Sequence, residues 1–520
     1  MKTLTIAFLF LAALFPAIST SAYDFCKENE DGKMIYYNIL SEDEKTCEVT
    51  AKEIRHSWGS SYNFKDYEGE IYIPSIANGY TVTGIGENAF VCNKNVTSVT
   101  LPNTITRIDY FAFTDCKGLT SVTLGNSVTY IGGWAFEGCS GLTNVVLPNS
   151  IETIGAYSFY DCTALESVNI PSSVTYIGNQ AFNNCIGLYS ITIPISVSSI
   201  EGNPFTNCTN LSSIIVEDGN PNYSSDNCNA IIETSSNKLV SGCKNTIIPD
   251  YITTIGPSAF SGCTGLSSIE IPNSVTSLGN SSFSGCTGLT SIKLSDNIKT
   301  IDGSAFFDCE NLTHFEMPKG VTSIGLSAFC NCKSLLSITI PQNVTFIDDR
   351  AFQNCSGLTS VYSYITDVFE TGDIAFYGCD NATLYVPKGL VDTYKSTADW
   401  NRFSNIEEMP GISLALACSD HGKVTVNDTF TFSAKIAEAT VYDGIDSKFV
   451  FSPDANCRLD RVLINGLDVT KSVSNNELST TILPNSSMMV IFSSNSADVN
   501  GDGVTNISDV IEIVNLILNQ

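Results

Sequence analysis

The chain has 520 residues with 54 acidic against 26 basic side chains, a net charge of -28 and a sequence pI near 4.3. A surface that neutralises phosphates needs clustered Lys and Arg, so this balance argues against nucleic acid and anionic membrane surfaces as partners. The excess acid reads first of all as a source of solubility.

At the N-terminus, Met1-Lys2, the apolar run from Ile6 to Phe15 and then Thr20-Ser21-Ala22 read as a secretory signal over residues 1–22. Ile507 to Leu518 is interrupted by Asp509, Glu512 and Asn515, so no membrane insertion is expected. Residues 23–67 carry short alternating runs such as Met34-Ile35-Tyr36-Tyr37 and read as an N-terminal β cap, within which Cys26 and Cys47 could bridge.

From 68 to 387 one phrase keeps returning. A phenylalanine, usually after alanine, stands at 90, 113, 136, 159, 182 and 205 and again at 260, 283, 306, 329 and 352, in steps of 23, with Phe376 following at 24. Three residues after it comes a cysteine, from Cys116 to Cys379, and three further on an aliphatic residue. A fixed period of this length marks a solenoid whose units cover one another's apolar side chains. Leu119, Val122 and Leu124 alternate with Ser121 and Thr123, which predicts a short parallel strand with an inward and an outward row. Proline closes that strand at 102, 148, 171, 194, 272, 318 and 341, where it cannot continue a ladder. An irregular or 3-10 return segment, as in Val128-Thr129-Tyr130-Ile131-Gly132, completes the unit. Between Phe205 and Phe260 the step is 55, and residues 217–247 read as a hairpin insertion with its turn centred on Ser235-Ser236. On that register Cys228 faces Cys243, a reasonable disulfide pair.

These units resemble the BspA-like, treponemal-type leucine-rich repeats of 23 residues, with their Cys-x-x-Leu-x-x-Ile-x-Leu-Pro and Ile-Gly-x-x-Ala-Phe-x-x-Cys phrases. The resemblance implies a leucine-rich-repeat solenoid in a protein that is secreted or held at a bacterial cell surface, where such chains serve as adhesins or binding scaffolds.

Residues 388–408 read as a short helical cap for the last coil, with Leu390, Tyr394, Trp400 and Phe403 available to cover it. Residues 411–497 alternate apolar runs with polar turns and read as a small all-β domain. Its phrase Leu463-Ile464-Asn465-Gly466-Leu467-Asp468-Val469-Thr470 resembles bacterial β-repeat modules related to internalin B repeats, which implies a spacer. Residues 498–520 end the chain with a calcium loop and helix. Asp498, Asn500, Asp502, the Val504 carbonyl, Asn506 and Asp509 offer oxygens at the spacing of a Ca²⁺ shell, with Gly503 at the sharp turn. This segment resembles a type I dockerin, which implies a cohesin-like partner, although a dockerin carries two such loops and this one stands alone.

Other chemistry finds little support. Cysteines one coil apart repeat one address and do not converge as metal ligands. His56, His314 and His421 fall in separate regions, and no phosphate loop or serine-hydrolase elbow occurs. What remains is the outward row of the strand wall. It is largely hydroxyl in its N-terminal half and becomes charged later, so the candidate ligand face is Ser268, Glu270, Ser291, Lys293, His314, Glu316, Ser337 and Thr339. The sequence therefore reads as a non-enzymatic, secreted or surface-held binding and adhesion protein for an extracellular protein or glycan, host-derived ligands included. A component of a polysaccharide-degrading assembly and a structural surface-layer protein are the alternatives.

Overall fold

The computed structural model describes residues 23–53 and 66–494, apart from 410, 420, 428–429, 434–435, 443–445, 456 and 482–486. The expected signal segment and the calcium loop at 498–509 lie outside the described residues. The described residues fall into two compact units, those between 23 and 384 with 392–406, and 385–391 with those between 407 and 494.

The first unit is a solenoid. Its phenylalanines form a column of stacked rings, with centroids 4.8 Å apart at Phe90–Phe113, 5.2 Å at Phe136–Phe159, 5.0 Å at Phe260–Phe283 and 5.1 Å at Phe329–Phe352. Each ring is covered by the coils on either side, which is how a unit too short to own a core becomes buried. The ladder thiols sit in the same interior. Cys116, Cys139 and Cys162 are buried and direct their sulfurs to the carbonyls of Phe90, Phe113 and Phe136, each in the preceding coil, at 3.0, 3.1 and 3.2 Å. S–H is a weak donor, and here it adds a second contact to a carbonyl that already accepts a main-chain N–H, as Phe90 does from Asn93 at 3.1 Å and Phe113 from Cys116 at 3.1 Å.

Two residues beyond each phenylalanine the backbone turns left-handed, and the sequence supplies the residues that tolerate it: Asp115, Gly138, Asp161, Asn184, Asn207, Gly262 and Asn331 all have φ between 57° and 70°. The strand wall is parallel and in register, for example Ser121↔Asn144 and Val122↔Val145. The return segments are more regular than expected. They form a second parallel ladder of two-residue strands, such as Tyr130–Ile131 beside Thr153–Ile154. Threonines on the outer surface tie coil to coil, with Thr106 and Thr129 donating to the carbonyls of Thr83 and Thr106 at 3.1 and 3.2 Å.

Both ends of the stack are closed. At the start, Phe25–Glu28, Met34–Ser41 and Thr46–Thr50 form an antiparallel meander whose last strand joins the return ladder, and Tyr67 extends the ring column at 4.4 Å from Phe90. At the far end the helix is shorter than expected, Val391–Ser396, followed by a 3-10 turn at Trp400–Arg402. Trp400 and Phe403 cover Phe376 at 4.9 and 5.2 Å, and the Asp399 carboxylate accepts from the Phe376 N–H at 3.0 Å, in the place of the next coil's carbonyl.

Neither proposed disulfide forms. Cys26 pairs with Tyr36 and Cys47 with Ile39, so a whole strand separates them. Two ladder spacings are about 9.6 Å, beyond the about 4.4–6.8 Å that a disulfide spans between Cα atoms. In the hairpin, Glu233↔Lys238 and Ile232↔Leu239 follow the expected register, but a bulge shifts it to Ile231↔Ser241 and Ala230↔Gly242. Cys243 then comes opposite Asn229, whose carbonyl its thiol reaches at 3.5 Å, and Cys228 and Cys243 remain free thiols. The hairpin also crosses the ring column. A Cβ on Gly242 would stand 2.2 Å from the Phe260 ring, so only glycine fits there.

The second unit contains a five-stranded sheet built around Gly411–Cys418, Cys457–Ile464 and Ser487–Ser494, and a four-stranded sheet around Gly422–Val426 and Asp446–Pro453. Leu414, Leu416, Val424, Phe449, Phe451, Val462 and Val490 fill its core, as the alternating runs predict.

Two measurements test this account. Replacing Phe159 by Ala opens the ring column and should cost about 3–5 kcal/mol, read as a lower denaturant midpoint with faster hydrogen exchange concentrated in the coils of Phe136 and Phe182. Glu137 is held by burial, with Asp115 and Asp161 beside it, so that its carboxyl is raised from 4.5 to about 7. A carboxyl raised in the folded state is tolerated when protonated and destabilises when charged, so stability should fall as pH rises from 4.5 through about 7. Glu137→Gln should flatten that fall and raise the melting temperature at pH 7.5 but not at pH 4.5.

Candidate functional site

The sequence selects an outward row, and the structure places a groove on it. An open groove of about 1210 Å³ runs across three successive strands, Ser268–Glu270, Ser291–Lys293 and His314–Phe315, and is banked on one side by residues 246–250. The strands pair in parallel, Ser268↔Ser291 and Ser291↔His314, so Ser268, Ser291 and His314 form one row and Glu270, Lys293 and Glu316 the next. Inward residues alternate with them, and Ile292 and Phe315 are buried. Six of the eight expected face residues thus line one groove. Ser337 and Thr339 lie on the following strand, outside its lining.

The electrostatics are mixed, with acid in excess. Asp250, Glu270, Asp296 and Glu316 bring four carboxylates, against the ammonium groups of Lys293 and Lys319. The Lys293 ammonium donates to the Glu270 carboxylate of the neighbouring coil at 2.5 Å, which raises the lysine's affinity for its proton. Both side chains are well exposed, so the pair shapes the surface more than it stabilises the fold. A smaller recess of about 360 Å³ adjoins it, between Asp250, Pro272, Asn273 and Lys293.

Sequence reasoning missed the bank. Asp250, Asp296 and Lys319 occupy the turn position that follows each strand, beside Pro249, Ser295 and Pro318, and the variation in charge at that address was visible but not used. Residues 246–248 could not be assigned to the groove, because the insertion hides their alignment with the strand residues 269–271 one unit later.

Two further surfaces carry less chemistry. Phe111, Trp134 and Tyr157 stack at 5.2 and 4.9 Å along the outside of the corner, so their faces cover one another and only edges remain for a ligand. Glu48, Arg107 and Asp109 form an ion-pair cluster on the return wall, with Arg107 at 2.7 and 3.3 Å from the two carboxylates. Burial raises both carboxyls despite the guanidinium. Among the described residues, no group of three or more His, Cys, Asp or Glu side chains is arranged to hold a metal ion, and no helix is long and apolar enough to cross a membrane. The calcium-loop residues Asp498, Asn500, Asp502, Val504, Asn506 and Asp509 lie outside the described residues.

Comparison with solved structures finds the same architecture in bacterial proteins. The pneumococcal vaccine antigen PcpA aligns with 75% of this chain and 99% of its own, at 21% identity and a TM-score of 0.61. A leucine rich cell surface protein from Faecalibacterium prausnitzii aligns with 73% of this chain and 97% of its own, at 27% identity and a TM-score of 0.50. No curated protein matches significantly. The family described as "BspA type Leucine rich repeat region" matches residues 82–227, 231–359 and 330–414. With the ring column, the cysteine ladder and the strand wall in place over that span, the chain belongs to the BspA-type leucine-rich-repeat family.

Proposed function

We propose that this protein is a secreted or cell-surface binding and adhesion protein, without catalytic activity, that holds an extracellular protein ligand in the groove over Ser268, Ser291 and His314. One observation carries the reading: the charged residues that vary at fixed addresses on the outward row line a single groove, while the inward residues of the same strands keep to the repeat. No Trp, Tyr or Phe lines that groove. Sugar rings are commonly held on flat aromatic faces, so its chemistry favours a polypeptide over a glycan. Placement at the cell surface is supported by the relative from F. prausnitzii, which is described as a leucine rich cell surface protein.

The full-length chain, offered to an array of extracellular-matrix proteins and glycans, should bind a protein, and the double variant Glu270→Lys/Glu316→Lys should weaken that binding at least tenfold. Undiminished binding by the variant would remove the groove from the recognition surface.

A second reading rests on the oxygen set at Asp498, Asn500, Asp502, Val504, Asn506 and Asp509, which suits Ca²⁺ because a hard cation takes carboxylate and carbonyl oxygens. A structural Ca²⁺ there would support a cohesin-like contact and recruitment to an extracellular polysaccharide-degrading assembly. Calorimetric titration of the full chain should show one saturable Ca²⁺ site, lost in Asp498→Ala/Asp502→Ala. Unchanged uptake by that variant would place calcium elsewhere.

A further inference from the structure

We propose that the strand Ser268–Glu270 is an open sheet edge, and that an extended, basic segment of a partner polypeptide adds to it as a further parallel or antiparallel strand. The inference rests on the groove being the binding face and says how that face binds.

Elsewhere along this wall, neighbouring coils bond main chain to main chain. Ser212 donates to the Tyr189 carbonyl, Thr290 to Ser267, and Leu336 to Thr313. The insertion interrupts this sequence. Ser213–Val216 pairs only with the strand before it, and Ser268–Glu270 only with the strand after it. Residues 245–248 align in sequence with 268–271 one unit later, but 246–248 line the same groove as its bank and 245–247 are bonded away from that strand. The Asn245 amide donates to the Ser212 carbonyl at 3.1 Å, the Ile247 N–H to the Cys228 carbonyl at 3.1 Å, and the Thr246 hydroxyl to the Asn229 carbonyl at 2.6 Å. Among the described residues, no main-chain hydrogen bond joins 244–248 to Ser268 or Glu270.

The register fixes which groups this leaves. The Glu270↔Lys293 pair and the Ile271 N–H bond to the Lys293 carbonyl turn the main chain of Ile269 and Ile271 towards the following strand. Those of Ser268 and Glu270 therefore point to the open side. The burial pattern agrees. Ile269 is partly exposed although its equivalents Val122 and Ile292 are 5% exposed. An edge with unanswered donors and acceptors is a template for another strand.

Charge selects the occupant. With the Glu270–Lys293 pair set aside, Asp250, Asp296 and Glu316 stand against Lys319, so acid remains in excess in the groove. A second copy of this chain, itself at -28, would bring acid against acid. An alternating basic peptide instead sets its main chain along the edge and every second side chain among these carboxylates.

The test uses the full-length protein and a fluorescein-labelled (Lys-Thr)4 octapeptide, with (Glu-Thr)4 and two backbone N-methylated forms of (Lys-Thr)4, one methylated at the lysines and one at the threonines. Anisotropy at low salt should show (Lys-Thr)4 binding and (Glu-Thr)4 failing to bind. Because strand addition uses alternate N–H groups, one methylation pattern should weaken binding at least tenfold more than the other. Ser268→Pro, which removes an edge donor, should weaken the unmethylated peptide at least tenfold. Equal binding of both methylated forms and the parent would overturn strand addition, as would no binding of (Lys-Thr)4 at millimolar concentration. If Glu270→Lys/Glu316→Lys abolishes binding while methylation has no effect, the groove stands as the binding face and strand addition falls. If neither change matters, both fall.

Discussion

A 23-residue coil cannot close a core around its own phenylalanine; within each run the rings one coil before and one coil after stack on its faces. Much of the architecture follows from that dependence. From Val96 to Val386 the strands stay two to five residues long, because the chain must turn back within one period to deliver the next ring to the column. The corner beside each ring turns left-handed, which is why Asn, Asp and Gly recur two residues after it. A missing neighbour cannot be tolerated at either end, so aromatic side chains from outside the repeat, Tyr67 at one end and Trp400 with Phe403 at the other, complete the stack.

The periodic part of the fold was legible in the sequence because a repeat writes each contact many times. Phenylalanines and cysteines at one spacing can only be stacked, and alternation around Val122 declares which side chains face inward. Features written once were not legible. The bulge between Ile231 and Ile232 moves Cys243 from Cys228 to Asn229, and no residue in the hairpin announces it. Cys26 and Cys47 look like partners in the sequence because both lie in the N-terminal cap, yet strand order sets them two ladders apart. The return segments read as irregular or 3-10, but parallel neighbours at the same height make a ladder out of two residues each. Of the groove, the floor and its charges could be read from the outward row, while the bank at 246–250 depends on how the insertion rejoins the stack.

The division of labour between the rows explains how such a fold acquires recognition. Val122, Val145 and Ile292 are held to aliphatic character by burial. Their outward neighbours meet only water and one another, so hydroxyl, carboxylate, imidazole and ammonium can exchange at Ser121, Glu270, His314 and Lys293 with little effect on packing. The insertion adds what substitution cannot. It interrupts the regular wall beside the most charged coils and builds a bank there, turning a surface into a groove.

Asp399 has a consequence for how the molecule changes in size. By supplying the oxygen that the Phe376 N–H would otherwise find in another turn, it seals the stack against end-to-end polymerisation and against simple extension at that terminus. A coil inserted in the interior would meet the same stacked neighbours as any other, whereas one added beyond Phe376 would have to displace Asp399, Trp400 and Phe403.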